Sequence, residues 1–122
     1  MKTDRELLEL AAKAFWGAEI GDTCSVRWSE IDEAICYMHG DNQDHNGQDV
    51  ELCWNPLEWN HDALQLAVKL RLHIGLESHT VSAWANDDFG NFMTERHADR
   101  GDEAGTRRAI VRAAAYIGER MP

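Results

Sequence analysis

Histidines are the residues of this chain best suited to chemistry, because imidazole binds metals and transfers protons near neutral pH. None of the six lies in an HExxH motif, and no spacing of cysteine with histidine is typical of zinc. His45, His61 and Asp62 could still meet around Trp54 and bind a transition metal, as a metal-assisted hydrolase requires. The simpler interpretation is that the histidines are scattered over the surface.

Other catalytic motifs are missing. The segment from Asn42 to Gly47 resembles the start of a calcium-binding loop, but Cys53 stands where the bidentate glutamate should be, which favours a solvated turn. Three cysteines without a CxxC pair predict neither a disulfide framework nor a zinc knuckle. GxSxG, Walker A and GxGxxG motifs do not occur. We therefore expect no cofactor, and enzymatic activity has no support beyond the metal alternative.

Tryptophans near a proline are candidates for binding a protein partner. Trp54, Pro56 and Trp59 precede a predicted helix, and Trp84 lies in a later predicted strand. Tryptophan is enriched at binding hot spots, so an exposed aromatic patch here would mark a binding site. The alternative, which we favour, is that Trp54 and Trp59 close the hydrophobic core under the loop.

Three arginines near the start of the last predicted helix form a second candidate site. Arg107, Arg108 and Arg112 could bind a carboxylate or a phosphate, because a guanidinium presents paired N–H donors. The alternative is that they pair with acidic neighbours from the first half of the chain.

Charge is divided unevenly along the 122 residues, a length that predicts one domain over residues 1–122. Residues 1–62 contain 14 acidic and 4 basic side chains and residues 63–122 contain 8 of each, so the first half carries the net charge of −10. A chain with this much negative charge repels phosphates, and this argues against direct nucleic-acid binding. Without a signal-peptide pattern or an apolar run near the roughly 20 residues of a membrane span, we expect a cytoplasmic protein with no membrane partner.

Helices predicted from periodicity position these candidates. Thr3 and Glu6 match a capping box at the start of the first helix. A second helix is predicted from Asn60, its N-cap, to Gly75, and its apolar residues cover so much of its circumference that we expect it to be the most buried helix. Asp102 is predicted to cap the last helix.

Strands are predicted between the helices. Alternating polarity favours a strand at 23–28, and an apolar run of bulky residues favours a second strand at 34–39. A short strand is predicted at 50–54, and a hairpin in which residues 80–85 pair with residues 89–96. The element order α–β(β)–α–β–β–α predicts a chain of the α/β (α+β) class. Specifically, we expect a three-layer αβα sandwich in which about three helices flank a mostly antiparallel sheet.

Three motifs resemble a known family: Trp54–Leu57 (WNPL), Asp62–Leu70 (DALQLAVKL) and Thr106–Ala115 (TRRAIVRAAA). Together they resemble the phage αβα-sandwich domain, a family of small proteins encoded by bacteriophages and prophages. The resemblance covers residues 52–122 and, more loosely, the N-terminal helix, whereas the segment from Thr23 to Val50 has no counterpart. It implies the three-layer fold and a phage origin, and it implies no catalytic residues.

The function most consistent with these observations is that of a small, non-enzymatic phage accessory protein. We expect it to bind a host or phage protein through its acidic first half or through the loop around Trp54 and Pro56. One alternative is a structural homo-oligomer. The other is the metal-assisted hydrolase built on His45, His61 and Asp62.

Overall fold

Helices and antiparallel strands alternate in the computed structural model, which describes residues 2–17, 26–43, 46, 49–85 and 97–121. In chain order the elements are α1 (Asp4–Trp16), β1 (Val26–Ser29), β2 (Ala34–Gln43), β3 (Asp49–Trp54), α2 (Asn60–Lys69), β4 (His73–Leu76), β5 (Thr80–Trp84), β6 (His97–Arg100) and α3 (Glu103–Arg120). The strands form two antiparallel sheets, β1-β2-β3 and β4-β5-β6. The predicted α+β fold, with antiparallel strands flanked by three helices, is confirmed.

Local sequence explains where α1 begins and ends. The Thr3 hydroxyl accepts the N–H of Glu6 at 3.2 Å, and the Glu6 carboxylate accepts the N–H of Thr3 at 3.3 Å, which is the predicted capping box. Gly17 follows the helix with a φ of 70°, a left-handed conformation that glycine adopts without strain. Its N–H donates to the Lys13 carbonyl and so completes the last turn.

The second helix ends well before Gly75, so the predicted C-terminus of α2 was wrong. Arg71 adopts a left-handed φ of 56°, the N–H of Leu72 donates to the Ala67 carbonyl, and the N–H of Arg71 donates to the Val68 carbonyl. This is the Schellman arrangement, in which glycine is the usual residue at the position of Arg71. Sequence reasoning took Gly75 as the terminating glycine and therefore missed β4.

The prediction that α2 is the most buried helix was also wrong. Its outer side carries Leu64 and Val68, one turn apart, and these side chains are 62% and 61% exposed. Its N-cap is Trp59 rather than Asn60, and no side chain caps it. The helix around which the others are arranged is α3, which packs against α1, α2, β5 and β6.

The predicted start of α3 is confirmed. The Asp102 carboxylate accepts the N–H of Gly105 at 2.7 Å, which satisfies one of the backbone donors at the helix start. Within the described residues, no helix is long and apolar enough to cross a lipid bilayer.

The partner of β5 is β6, in a register that pairs Val81 with Asp99 and Ala83 with His97. Val81 and Ala83 are completely buried in the core that α3 also enters. The predicted second strand of this hairpin, residues 89–96, lies outside the described residues. Of the predicted strand 23–28, residues 23–25 also lie outside them, and residues 26–28 belong to β1.

Candidate functional site

A groove of about 520 Å³ lies beside α3, bounded by that helix, by β6 and by the start of α1. We call it the α3 groove. Its volume falls in the range of about 300–1,000 Å³ that is common for ligand-binding cavities. The residues that line it are Lys2, Leu7, His97, Asp99, Arg108, Arg112, Ala115, Tyr116, Glu119 and Arg120.

One side of α3 supplies most of the groove. Arg108, Arg112, Tyr116 and Arg120 recur every four residues, and this spacing places their side chains along one side of a helix. The opposite side, rich in alanine, is buried in the core. Because that side is packed in the core, Arg108 and Arg112 project from the other side of α3 and line the groove.

Strand β6 supplies the facing wall. Side chains alternate along a strand, so His97 and Asp99 lie on one face of β6, the same face as their paired residues Val81 and Ala83. That face packs against α3, and it therefore directs His97 and Asp99 towards the groove. The His97 side chain is buried, and its ring lies 5.4 Å from the ring of Tyr116.

The two central arginines are held loosely. An Nη1 of Arg112 donates to the Ala98 carbonyl at 2.9 Å, and the same nitrogen lies 3.8 Å from the Asp99 carboxylate. The Nη1 of Arg108 donates to the Asp4 carboxylate at 3.1 Å, at a position where the Asp4 side chain is largely exposed. Ion pairs in contact with water contribute only about 0–1 kcal/mol each, so a ligand can compete with them.

The charge of the groove is opposite to that of the chain. Four cationic side chains line it against two carboxylates, whereas the whole chain has a net charge of −10. One of the carboxylates, Glu119, already pairs with Lys2 at 3.2 Å. The groove therefore attracts anions in a protein that otherwise repels them.

Tyr116 gives the groove an aromatic surface. The guanidinium of Arg120 lies 3.4 Å from the centre of the Tyr116 ring, a cation–π contact. Leu7 and Ala115 contribute the apolar part of the lining. An anion that also has an apolar portion could therefore contact the cationic side chains with its charged group and Tyr116, Leu7 and Ala115 with its apolar portion.

The side chains of the groove are suited to the recognition of anions. Among the described residues that line it, none is a serine, threonine or cysteine that His97 could activate. Arginines, by contrast, are well suited to bind carboxylate or phosphate oxygens, because their N–H groups form a planar fork. The arrangement is typical of an anion-binding site.

Arg107 does not share this groove, although the sequence grouped it with Arg108 and Arg112. Its Nε donates to the Leu57 carbonyl at 2.9 Å, and its Nη1 donates to the Asn60 side chain at 2.6 Å. These bonds attach α3 to the loop before α2, so Arg107 has a structural role.

The tryptophans do not form one exposed patch. Trp54 is only 1% exposed and packs among Phe15 and Trp16, with ring centres 5.4 Å and 5.0 Å away, and Pro56 is also fully buried. The interpretation of Trp54 and Pro56 as exposed binding residues is thereby corrected: they belong to the core. Trp59 is 49% exposed, so the expectation that it closes the core was wrong.

Trp84 lies apart from these residues, in the other sheet. It is half-buried and stacks on His73 of β4, with ring centres 5.6 Å apart and an interplanar angle of 12°. This contact crosses paired strands and gives Trp84 a place in the packing of the sheet.

The predicted metal ligands are not brought together by the described structure. His61 is exposed, whereas the Asp62 carboxylate is buried and accepts the N–H of Asn55 at 2.9 Å, so it holds the Asn-Pro loop. His45 lies outside the described residues. Within the described residues, the group of potential metal ligands is a different one, formed by Asp32, Cys36 and Cys53.

Comparisons with known proteins leave the function to be argued from this geometry. No protein-family model matches the chain, and neither a curated protein nor a solved structure shows significant similarity to it.

Proposed function

We propose that this chain is a non-enzymatic accessory protein that binds an acidic segment of a protein partner in the α3 groove. The observation that carries the proposal is the cluster of cationic side chains around the Tyr116 ring, on a chain whose net charge is −10. Because the rest of the acidic surface repels anions, an acidic segment would be guided towards this groove.

The length of the groove favours a peptide over a small anion. From Arg108 to Arg120, α3 rises about 18 Å at about 1.5 Å per residue. An extended peptide of about five residues covers the same distance. Alternate carboxylates of such a peptide would meet successive arginines of the helix, and its apolar portions would meet Tyr116 and Leu7.

Nucleic acid is a poorer fit. Duplex binding depends on many neutralised phosphates along an extended basic surface. Here the cations are confined to one groove that also contains Asp99 and Glu119. The resemblance of the helix segments to the phage αβα-sandwich domain supports a further proposal, that the partner is a phage or host protein.

Fluorescence anisotropy with a labelled pentaglutamate peptide tests the main proposal. We expect saturable binding at low salt that weakens as salt is added, because exposed charges are screened. The double variant Arg108→Gln/Arg112→Gln should weaken binding by roughly tenfold or more. Arg100→Gln removes an exposed arginine outside the groove and serves as the matched control.

Two results would contradict the proposal. The first is equal anisotropy for pentaglutamate and a pentalysine peptide, which would show that charge is not recognised. The second is a weakening by Arg100→Gln that equals, per charge removed, the weakening by the double groove variant, which would show that only net charge matters.

The exposed apolar side of α2 favours a second candidate function, a homo-oligomer. Leu64 and Val68 are solvent-exposed on α2, and Leu76 is 73% exposed on β4, an edge strand among the described residues. Apolar side chains in such a position are typical of interfaces. Sedimentation velocity should show that the wild-type protein self-associates and that the double variant Leu64→Gln/Val68→Gln does not. Gln65→Ala, on the same helix, is the control and should self-associate as the wild type does. A wild-type protein that stays monomeric at high concentration would contradict this function.

A further inference from the structure

Two cysteines lie opposite each other in the sheet β1-β2-β3. Cys36 of β2 pairs in register with Cys53 of β3, and Arg27 of β1 pairs with Cys36 from the other side. Residues paired across antiparallel strands project from the same face of the sheet, so both thiols and the Arg27 guanidinium share one face. The two Sγ atoms are 3.4 Å apart. The strand register, rather than a local motif, brings them together.

A carboxylate completes this cluster. The hydroxyl of Ser29 donates to Oδ2 of Asp32 at 2.9 Å, and the backbone N–H of Asp32 donates back to that hydroxyl oxygen at 3.2 Å. This pair of bonds holds the same Oδ2 at 3.7 Å from the Sγ of Cys36. The two sulfurs and the carboxylate oxygen all lie within 4.8 Å of one another.

The two separations measured from the Cys36 sulfur match the edges of a tetrahedral metal site. With zinc–sulfur bonds of about 2.3 Å and a zinc–oxygen bond of about 2.0 Å, a regular tetrahedron separates two sulfurs by about 3.8 Å and a sulfur from an oxygen by about 3.5 Å. The observed separations of 3.4 Å and 3.7 Å each lie close to these values. A disulfide, by contrast, would require the sulfurs to approach to about 2.05 Å.

The three residues of the cluster differ in their exposure to solvent. Cys36 is buried, Cys53 is partly exposed and Asp32 is exposed, so the cluster opens to solvent on its carboxylate side. A water molecule there would supply a fourth ligand. The nearby Glu51 is engaged elsewhere, because the Nε of Arg27 donates to its carboxylate at 3.1 Å. Asp32 is therefore the carboxylate that completes the ligand set.

We propose that Asp32, Cys36 and Cys53 form a binding site for a thiophilic divalent cation such as Zn²⁺. Thiolates are soft ligands and select zinc-like ions over calcium or magnesium. The site lies in the β1-β2-β3 sheet and shares no lining residue with the α3 groove. Failure of one proposal therefore leaves the other intact.

Titration of the reduced, metal-free protein with Co²⁺ tests this site, because thiolate ligation of cobalt produces strong charge-transfer absorption. We expect saturation at a single ion per chain, displacement by Zn²⁺ and a higher unfolding temperature with Zn²⁺. Cys36→Ser and Cys53→Ser should each abolish the charge-transfer band, and Asp32→Asn should weaken binding by roughly tenfold or more. Cys24→Ser is the matched control and should bind as the wild type does.

A reduced wild-type protein without the charge-transfer band would overturn the proposal, as would a band that survives in Cys36→Ser or disappears in Cys24→Ser. If a variant does not fold, alkylation of the wild-type protein still tests the proposal. Zn²⁺ should slow the reaction of iodoacetamide with Cys53 by roughly tenfold or more and leave the reaction of Cys24 unchanged. Equal rates with and without Zn²⁺ at Cys53 would also overturn it.

Discussion

Gly118 of α3 lies directly against the carbonyl group of Leu10 in α1, so closely that a Cβ at position 118 would overlap the carbonyl oxygen. Alanines make up about half of the buried residues of the two helices, and such small side chains permit helices to approach closely. At the end of the pair, the Lys13 amine donates to the Met121 carbonyl at 3.2 Å. Since α3 also forms one wall of the groove, this contact fixes the position of the groove arginines relative to α1.

Gly118→Ala should destabilise the protein, because the added methyl group must push α1 and α3 apart. We expect a loss of about 1–3 kcal/mol in the free energy of unfolding, measured by urea denaturation. Gly75→Ala is the control, since a Cβ there meets the Trp84 ring at an ordinary contact distance of 3.4 Å. That variant should change stability by less than about 0.5 kcal/mol. Equal losses in the two variants would contradict the close-approach argument.

Trp54 and Trp59 provide a matched comparison of a buried and an exposed indole. Trp54→Ala should cost about 3–5 kcal/mol, because it leaves a cavity among Phe15, Trp16 and the core. Trp59→Ala should cost less than about 1 kcal/mol, since half of its side chain already contacts water. Denaturant titration followed by far-ultraviolet circular dichroism measures both. A larger loss from Trp59→Ala than from Trp54→Ala would show that Trp59, and not Trp54, is the indole packed in the core.

Sequence predicted those parts of the fold whose causes are local. The capping box at Thr3 and the Asp102 cap involve residues within one turn of each other, and both helix starts are as predicted. The end of α2 was missed because Arg71 adopts a left-handed conformation, in which glycine is the usual residue. The chain adopts this conformation where it turns back into β4. The exposure of Leu64 and Val68 was missed because hydrophobicity alone does not reveal which side a neighbour covers.

The candidate site could be predicted only in part. Arg108 and Arg112 were identified from residue type and from their position near the start of the predicted helix, which are local properties. Their grouping with His97 depends on the register of β5 with β6, and the pairing of Cys36 with Cys53 depends on the register of β2 with β3. Register follows from packing of the whole sheet, so no spacing along the chain signals it.

Arg107 offers a test that separates structure from binding. Arg107→Gln removes the hydrogen bonds from α3 to the Leu57 carbonyl and the Asn60 side chain. We expect a loss of about 1–2 kcal/mol in stability, because one partly buried carbonyl acceptor loses a charged donor. Pentaglutamate binding should remain within about twofold of wild type, since Arg107 does not line the groove. Loss of binding in a folded Arg107→Gln protein would place Arg107 in the site after all.

Tyr37 should contribute to loss of stability at alkaline pH. Burial, and then the negative charge of Asp62, raise the pKa of the Tyr37 phenol above its ordinary value of 10.0. The unfolded chain therefore ionises first, so the stabilisation from the neutral phenol is complete below pH 10.0 and is lost as pH rises through the folded pKa. Tyr37→Phe should consequently lose less stability than the wild type between neutral and strongly alkaline pH.

Urea denaturation at a series of pH values measures this difference. Some alkaline loss should persist in Tyr37→Phe, because burial raises the pKa of the Cys36 thiol to about 12 and that thiol titrates in the same range. Tyr116→Phe removes the hydroxyl of the other tyrosine and is the control, because it shows how far a Tyr→Phe substitution alone changes the dependence of stability on pH. A Tyr37→Phe protein whose stability falls with pH as steeply as the wild type would show that the phenol of Tyr37 is as well hydrated in the folded chain as in the unfolded one.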